Sequence, residues 1–462
     1  MIDSKETDKI LKNVVSKPAE ALDIAASATQ RFAENVTKQR PLKDAKDFWH
    51  GLGPGLTTGA SDDDPSGIAT YSQTGAQYGN QLLWLSTLTF PLMAIVQEMC
   101  ARLGLVTGRG LAANIRRHYP RWILLLCASL LFFANVFNIG ANLGAMAKGT
   151  QLLIPSIPFY SLVILFTIVT LLMQIFINYS KYAKYLKYLA LVLLAYIITA
   201  FAVKDFSWIE ALRHGVTPSI TFSKEQIFLI CGILGTTVSP YLFFWQTSQE
   251  VEEEIAEGKI TLASRQGTNI SAIKKMRLDV WSGMFLSNLV MFFIIAVCAA
   301  TLYKQGITNI QTASDAAMAL RPLAGDKAFW LFAIGIIGTG LLGVPVLAGS
   351  SAYAISESFG WREGLSHKLK KASAFYGIII ISMLVGMGIN FIGLDPIKAL
   401  IYSAVINGLV APVILVLIIK MSSNKKIMGE WANKLHIAFF GWVIAGIMMV
   451  AGIATIISSI FF

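Results

Sequence analysis

Apolar residues in this chain gather into long unbroken runs instead of alternating with polar ones, and the polar stretches between the runs are short. Each run is near or above the ~20 residues a helix needs to cross the hydrocarbon core of a bilayer. The pattern predicts eleven spans, at roughly residues 54–76, 81–103, 122–147, 157–177, 183–203, 226–256, 277–303, 327–356, 372–392, 397–420 and 435–460. Two of them are interrupted. Span 1 opens on Gly53-Pro54-Gly55 and carries Ser61-Asp62-Asp63-Asp64-Pro65-Ser66-Gly67 in its middle; span 6 carries Gly235-Thr236-Thr237-Val238-Ser239-Pro240-Tyr241. A mid-span proline removes a backbone donor and clashes with the preceding turn, so helix breaks are predicted at Pro65 and Pro240. Irregular backbone at membrane depth survives only where it lines a cavity or is wrapped in protein. Spans 1–5 and 6–10 thus form two five-helix sets, each broken in its first member. That is the pattern of a transporter with inverted repeats and a midplane site between the breaks.

Composition supports an all-α membrane protein. Of 462 residues, 55% are hydrophobic and only 14% charged, with mean hydropathy +0.60, too few charges to cover a soluble protein of this size. The net charge of +11 suggests nucleic acid until its placement is examined. Loops after the even-numbered spans hold twenty Lys and Arg against eight after the odd-numbered ones, and the N-terminal tail adds nine. This bias reads as positive-inside: a cytoplasmic N-terminus, an external C-terminus and a multi-pass protein of the inner (plasma) membrane, with no nucleic-acid partner. Residues 1–50 are expected to form a cytoplasmic tail without a cleaved signal, and 51–460 the transporter domain. Its repeats cover about 51–205 and 222–421, with an extra helix at about 435–460. Cys100, Cys127, Cys231 and Cys298 fall in apolar spans and read as buried small residues; the five histidines are scattered without zinc-ligand spacing.

The chemistry sits at the first break. An ionised residue at membrane depth costs roughly 2.5–3.5 kcal/mol even on a lenient scale, and three adjacent aspartates need a compensating reason. A cation supplies one. A sodium-coupled amino-acid transporter is the nearest rival, but three aspartates repel a substrate carboxylate. A membrane aspartyl protease needs acids on two facing spans, and only one span has a central Asp. No enzyme is expected, no cofactor beyond the transported ion, and no obligate protein partner.

These residues resemble the natural resistance-associated macrophage protein (NRAMP) family of divalent metal transporters. The resemblance rests on Gly53-Pro54-Gly55, Asp64-Pro65-Ser66-Gly67, the run from Arg102 to Arg109, and Gly235-Thr236-Thr237-Val238-Ser239-Pro240. It covers about 51–460 and implies the LeuT-type fold, with a divalent ion held between the two breaks. The family's Asp-Pro-Gly-Asn falls on Asp64, Pro65, Ser66 and Gly67, and a metal-facing carbonyl one turn earlier falls on Ser61. The second break carries a carbonyl ligand to Thr236, the family's thioether ligand to Ser239 and its histidine to Tyr241. A soft thioether favours transition metals; an all-oxygen set of Asp64, Ser61, Gly67, Thr236 and Ser239 suits Mn²⁺ or Mg²⁺. The chain is in this respect similar to the magnesium-transporting relatives of the family. The family's proton-relay acids in span 3 fall on Asn138 and Ala141, which do not titrate. Either the membrane potential alone drives a divalent ion, at about 4.6 kcal/mol per 100 mV, or Asp62 and Asp63 relay protons. Those two aspartates and Ser66 are expected beside the site or along the path. The family's span-10 ligand falls on Ala404, with Asn407 a turn later.

Other signals read more plainly. Gly338-Thr339-Gly340-Leu341-Leu342-Gly343 matches a dinucleotide-binding fingerprint but lies inside span 8, where small residues mean close helix packing. The acidic end of span 6, Gln246 to Glu254, reads as a solvated helix face, with a cation-concentrating vestibule as the second reading. Asp315 and Asp395 read as loop caps, Trp122 and Trp361 as interfacial anchors, and Gln73 and Gln77 as helix-packing residues or transient ligands.

Overall fold

The computed structural model describes residues 53–177, 193–203 and 206–461. The expected tail, the first half of span 5 and the basic residues Lys181, Lys184 and Lys187 lie outside them. All regular elements among the described residues are helices. Eight stretches among the described residues are long and apolar enough to cross a membrane. Span 9 is a shorter apolar helix, Ser373–Ile389, and span 5 is described as Leu194–Ala202. Span 1 is two pieces, Pro54–Asp62 and Pro65–Tyr78; span 6 likewise divides into Lys224–Thr237 and Pro240–Ala256. The protein is therefore a multi-pass membrane protein with its helices broken at the two expected prolines.

Packing follows the repeat. Span 1 lies along span 7 (Ile270–Thr301), and in the second set the Pro240–Ala256 half of span 6 lies along span 2 (Trp84–Thr107). Span 4 (Phe159–Phe176) packs on span 3 (Arg121–Leu153) as span 9 packs on span 8 (Ala328–Phe359). Spans 3 and 8 form the broadest contact and make a wall behind the breaks. Small residues allow that closeness. A β-carbon at Gly340 would press on Met146, and one at Gly343 would come within 3.0 Å of the Asp64 Cβ. The glycine-rich run of span 8 is thus a packing surface against the span-1 break.

Span 11 (Leu435–Phe461) is peripheral. Its buried residues Gly441, Ile444, Ala445, Met448, Gly452 and Thr455 recur at helical spacing and form one stripe, while Ile453, Ile457 and Ile460 are exposed. That is the distribution of a helix with one protein-facing side and the rest toward lipid. Trp122 and Trp361 are exposed at helix ends, as anchors require, and the four cysteines are buried and unpaired. Thr312 and Asp315 form a reciprocal capping box, and Asp395 caps span 10 (Pro396–Ser422).

The acidic end of span 6 departs from its main reading as a solvated face. Glu250 and Glu254 are buried, as are Gln246 and Ser248. The half-helix is wedged between spans 2 and 8, so its carboxylates find partners inside. Glu250 accepts from the Gln246 amide at 2.8 Å, Glu254 from Lys259 at 2.9 Å, and Glu252 from the Tyr353 hydroxyl at 3.0 Å.

Candidate metal-transport site

Both breaks are two residues long and built alike. In span 1 the helix stops at Asp62, and Asp64 takes extended backbone angles (φ −70°, ψ 171°) as the N-cap of the next half, with Pro65 in its first turn. In span 6 Ser239 has the same role ahead of Pro240, with φ −77° and ψ 132°. Proline suits this place because its missing N–H is one that helix starts leave unpaired. Each break therefore brings a helix N-terminus and a helix C-terminus face to face at one depth.

Asp64 is saturated by protein donors. Its Oδ1 accepts from the Ser66 amide (3.0 Å), the Ser66 hydroxyl (2.5 Å) and the Gly67 amide (3.0 Å). Its Oδ2 accepts from the side-chain amides of Asn138 (3.2 Å) and Asn142 (3.0 Å) on span 3. Asn138 in turn accepts from the Ser403 hydroxyl of span 10 at 3.0 Å. One carboxylate thus connects the broken helix to spans 3 and 10. The link from span 10 runs through Ser403, the residue before Ala404, while Asn407 is fully buried with neither amide atom hydrogen-bonded.

Asp62 and Asp63 are differently placed. The Ser287 hydroxyl on span 7 lies 2.7 Å from Asp62 Oδ2 and 3.3 Å from Asp63 Oδ1, so two carboxylates share one hydrogen. Asp62 Oδ1 is buried with no hydrogen-bond partner. Buried carboxylates left this short of donors are costly, and either a cation or a proton completes such an arrangement. Among the described residues no three His, Cys, Asp or Glu side chains converge as a metal cage, so any ion here relies on carbonyl, hydroxyl or water oxygens as well.

The remaining expected residues are present but occupied. The Ser61 carbonyl accepts from the Tyr241 hydroxyl at 3.0 Å, which joins the two breaks. Thr236 donates to the Tyr71 hydroxyl at 3.1 Å, joining the Pro65–Tyr78 half of span 1 to the Lys224–Thr237 half of span 6. The Ser239 hydroxyl turns back on the preceding half of span 6, 2.7 Å from the Gly235 and Thr236 carbonyl oxygens. Ser61, Asp62, Asp63, Asp64, Thr236, Ser239 and Tyr241 are all at most 4% exposed, so the site is shut from both ends.

The closures are visible. At the end carrying the basic loops, Asp279 accepts from the Gly55 and Leu56 amides (2.6 and 3.1 Å) and so caps the first half of span 1. There Gly55, Gly59 and Gly283 let spans 1 and 7 touch backbone to backbone. Beside them Glu98 binds Arg277 at 2.8 Å and the Trp281 indole at 2.9 Å. Glu357 at the end of span 8 accepts from Ser248 of span 6 (3.1 Å) and from the Ala113 amide (2.9 Å). At the opposite end Gln73 accepts from the Ile310 amide (2.8 Å) and donates to the Thr308 carbonyl (3.1 Å) and to Gln77 (2.9 Å). Both glutamines therefore serve as packing residues here, pinning the span 7–8 loop over span 1.

Sequence reasoning missed Asn142, Ser287, Ser403 and Asp279. Asn138 and Asn142 lie four residues apart, hence on one helix face, and that spacing was a usable signal. The others act across 200 or more residues of chain and leave no local trace.

Comparison with known proteins agrees with this architecture. Residues 55–458 match the family model described as natural resistance-associated macrophage protein-like. The divalent metal cation transporter MntH of Klebsiella pneumoniae is 27% identical over 406 residues, covering 86% of this chain and 91% of that protein. MntH of Deinococcus radiodurans is 26% identical over 438 residues, 94% of each chain. The crystal structure of the Eremococcus coleocola manganese transporter superposes with a TM-score of 0.68 at 18% identity, over 89% of this chain and 88% of that one. Mhp1, a nucleobase-cation symporter, gives 0.52 at 14% identity over 88% and 91%. The fold is the LeuT type these structures share, and this chain belongs to the natural resistance-associated macrophage protein-like (Nramp) family, whose members are transporters and not enzymes.

Proposed function

We propose that this protein imports divalent metal ions, of the Mn²⁺ and Mg²⁺ kind, across the plasma membrane by alternating access. The observation that carries the reading is the pair of matched helix breaks enclosing buried aspartates, two of which share a single hydroxyl donor. Relatives named as divalent metal and manganese transporters support it. The N-terminus is cytoplasmic in this reading, and the end carrying the basic loops is the inner one. An entering ion exchanges part of its water for Asp64 and for carbonyl oxygens at Ser61 and Thr236, with Gly67 and Ser239 at the rim. To do so it displaces Tyr241 from the Ser61 carbonyl and at least one asparagine from Asp64. Asp62 and Asp63 supply the rest of the balancing charge.

Selectivity follows from the donor set. Oxygen donors alone discriminate weakly between Mn²⁺ and Mg²⁺, whereas a thioether favours the softer ion. Ser239→Met is expected to raise the Mn²⁺ over Mg²⁺ preference by about ten-fold, the effect of roughly 1.4 kcal/mol. An unchanged ratio would show that position 239 keeps facing the preceding half of span 6, as its hydroxyl does in the closed site.

Coupling is proposed to be electrical. Asn138 stands where the family resemblance puts a relay acid, and it donates to Asp64 instead of titrating. The test is uptake of Mn²⁺ and of Mg²⁺ into proteoliposomes carrying an internal pH dye. Flux of both ions without acidification supports the reading. Acidification that tracks flux assigns a proton relay to Asp62 or Asp63, and absence of flux for either ion rejects the transport assignment.

A further inference from the structure

A second charged feature lies away from the transport path. At the end carrying the basic loops, a cleft of about 480 Å³ opens between the loop after span 2, the loop between spans 6 and 7, and the segment joining spans 10 and 11. Arg109, Arg117, Lys425 and Lys426 line it, with Glu430 as its one acid. None of the four cations forms an ion pair among the described residues. Three positive charges are thus left over in a concave space. The strain shows nearby: burial, then Arg117 and Arg265, lower the Arg109 pKa, and burial, then Arg117 and Arg109, lower that of His118.

The frame of the cleft is fixed. The Asn114 amide donates to Thr107, to the Arg109 carbonyl and to the Gly110 carbonyl at 2.9–3.0 Å, which sets the direction in which Arg109 leaves the chain. The Gly267 amide donates to the Val106 carbonyl at 3.0 Å and joins two of the walls. Arg265, by contrast, is spent on the carbonyls of Lys259, Ile260 and Gly108. Arg116, on the same short helix as Arg117, turns away to the Glu357 carbonyl. The cations that remain in the cleft are therefore those without an ion pair among the described residues. Val106, Met428 and Trp431 add an apolar side to the same space.

We propose that this cleft binds a phosphate-bearing anion. Two arginines and two lysines lining one space provide the planar, bidentate donors and the point charges that phosphate oxygens take. Basic pockets between the ends of membrane helices also suit anionic lipid headgroups, and the apolar side matches a glycerol or acyl stem. A free phosphate ester and a lipid headgroup offer the same chemistry to the four cations.

The test titrates the detergent-purified full chain with two probes, inorganic pyrophosphate and short-chain phosphatidylglycerol, with short-chain phosphatidylcholine as control. Binding is followed by calorimetry and by the shift in thermal unfolding midpoint. At least one probe is expected to bind, and R109Q/R117Q/K425Q/K426Q is expected to weaken it by about ten-fold or more. Glu430→Gln, which removes the opposing charge and disturbs no fixed contact, is expected to tighten it by about three-fold. Pyrophosphate binding identifies a soluble phosphate anion; phosphatidylglycerol binding above phosphatidylcholine, without pyrophosphate, identifies a lipid headgroup. If the quadruple variant does not fold, the R109Q/R117Q and K425Q/K426Q pairs and Glu430→Gln carry the test. The proposal is overturned if neither probe binds, or if affinity is the same in wild type and in all charge variants.

Discussion

Asp64→Asn is expected to reduce metal uptake by more than about a hundred-fold while leaving a folded protein. The size follows from the loss of a charged ligand, since charge-assisted contacts are the strong ones and each ~1.4 kcal/mol is a factor of ten. The choice of asparagine follows from the geometry. Asp64 caps the outer half of span 1 and takes five hydrogen bonds, so alanine would remove the cap at a cost of about 0.5–2 kcal/mol. Alanine would also strand the two asparagine amides, at about 1–3 kcal/mol each. Loss of transport in Asp64→Ala would therefore mix folding with function. Asparagine keeps an oxygen for the Ser66 and Gly67 amides and so keeps the cap; its amide then faces those of Asn138 and Asn142, and Asn142 can turn its unpaired oxygen toward it. Uptake by proteoliposomes, set beside the elution profile and the unfolding midpoint, reads the two apart. Near wild-type uptake would move the essential charge to Asp62 and Asp63.

The second large effect is expected at Gly283→Val. A β-carbon there overlaps the Gly55 carbonyl, and one at Gly59 overlaps Gly283, so the inner half of span 1 can no longer rest on span 7. Backbone atoms lie on both sides of this contact, so no side chain can turn aside and the two helices must separate. The inner end should stay open and uptake should fall to the level of empty vesicles. Thr58, fully buried when the end is shut, reports the position. Thr58→Cys should resist a membrane-impermeant thiol reagent applied from the inner side, and should react at least about ten-fold faster when combined with Gly283→Val, as expected if closure is worth more than ~1.4 kcal/mol. The four native cysteines are buried and give a low background. Equal reactivity in the two backgrounds would mean that this contact does not gate the site.

Much of this architecture was legible because the bilayer imposes few solutions on a chain. Run lengths placed a span on every long apolar helix among the described residues, though span 3 runs on to Leu153 and span 7 starts back at Ile270, and two prolines in apolar runs located both breaks. The first aspartate to suspect could be named for the same reason. What surrounds it could not. Asn138 and Asn142 reach Asp64 from span 3, Ser287 reaches Asp62 from span 7, and neither the register nor the rotation of those helices is written locally. The acidic end of span 6 shows the opposite failure. Local composition spoke for solvent, and tertiary packing against spans 2 and 8 overrode it, with Lys259 and Tyr353 supplying the partners.

The hydrogen bond between Tyr241 and the Ser61 carbonyl has an implication for the resting cell. Unwound backbone at mid-depth is a row of polar groups, and in an unsealed protein it would string water into a conducting wire. The phenol seats its ring against the break and takes the carbonyl that such a wire would use. An empty carrier sealed in this way behaves as an electrical insulator, and the membrane keeps its voltage between transport events.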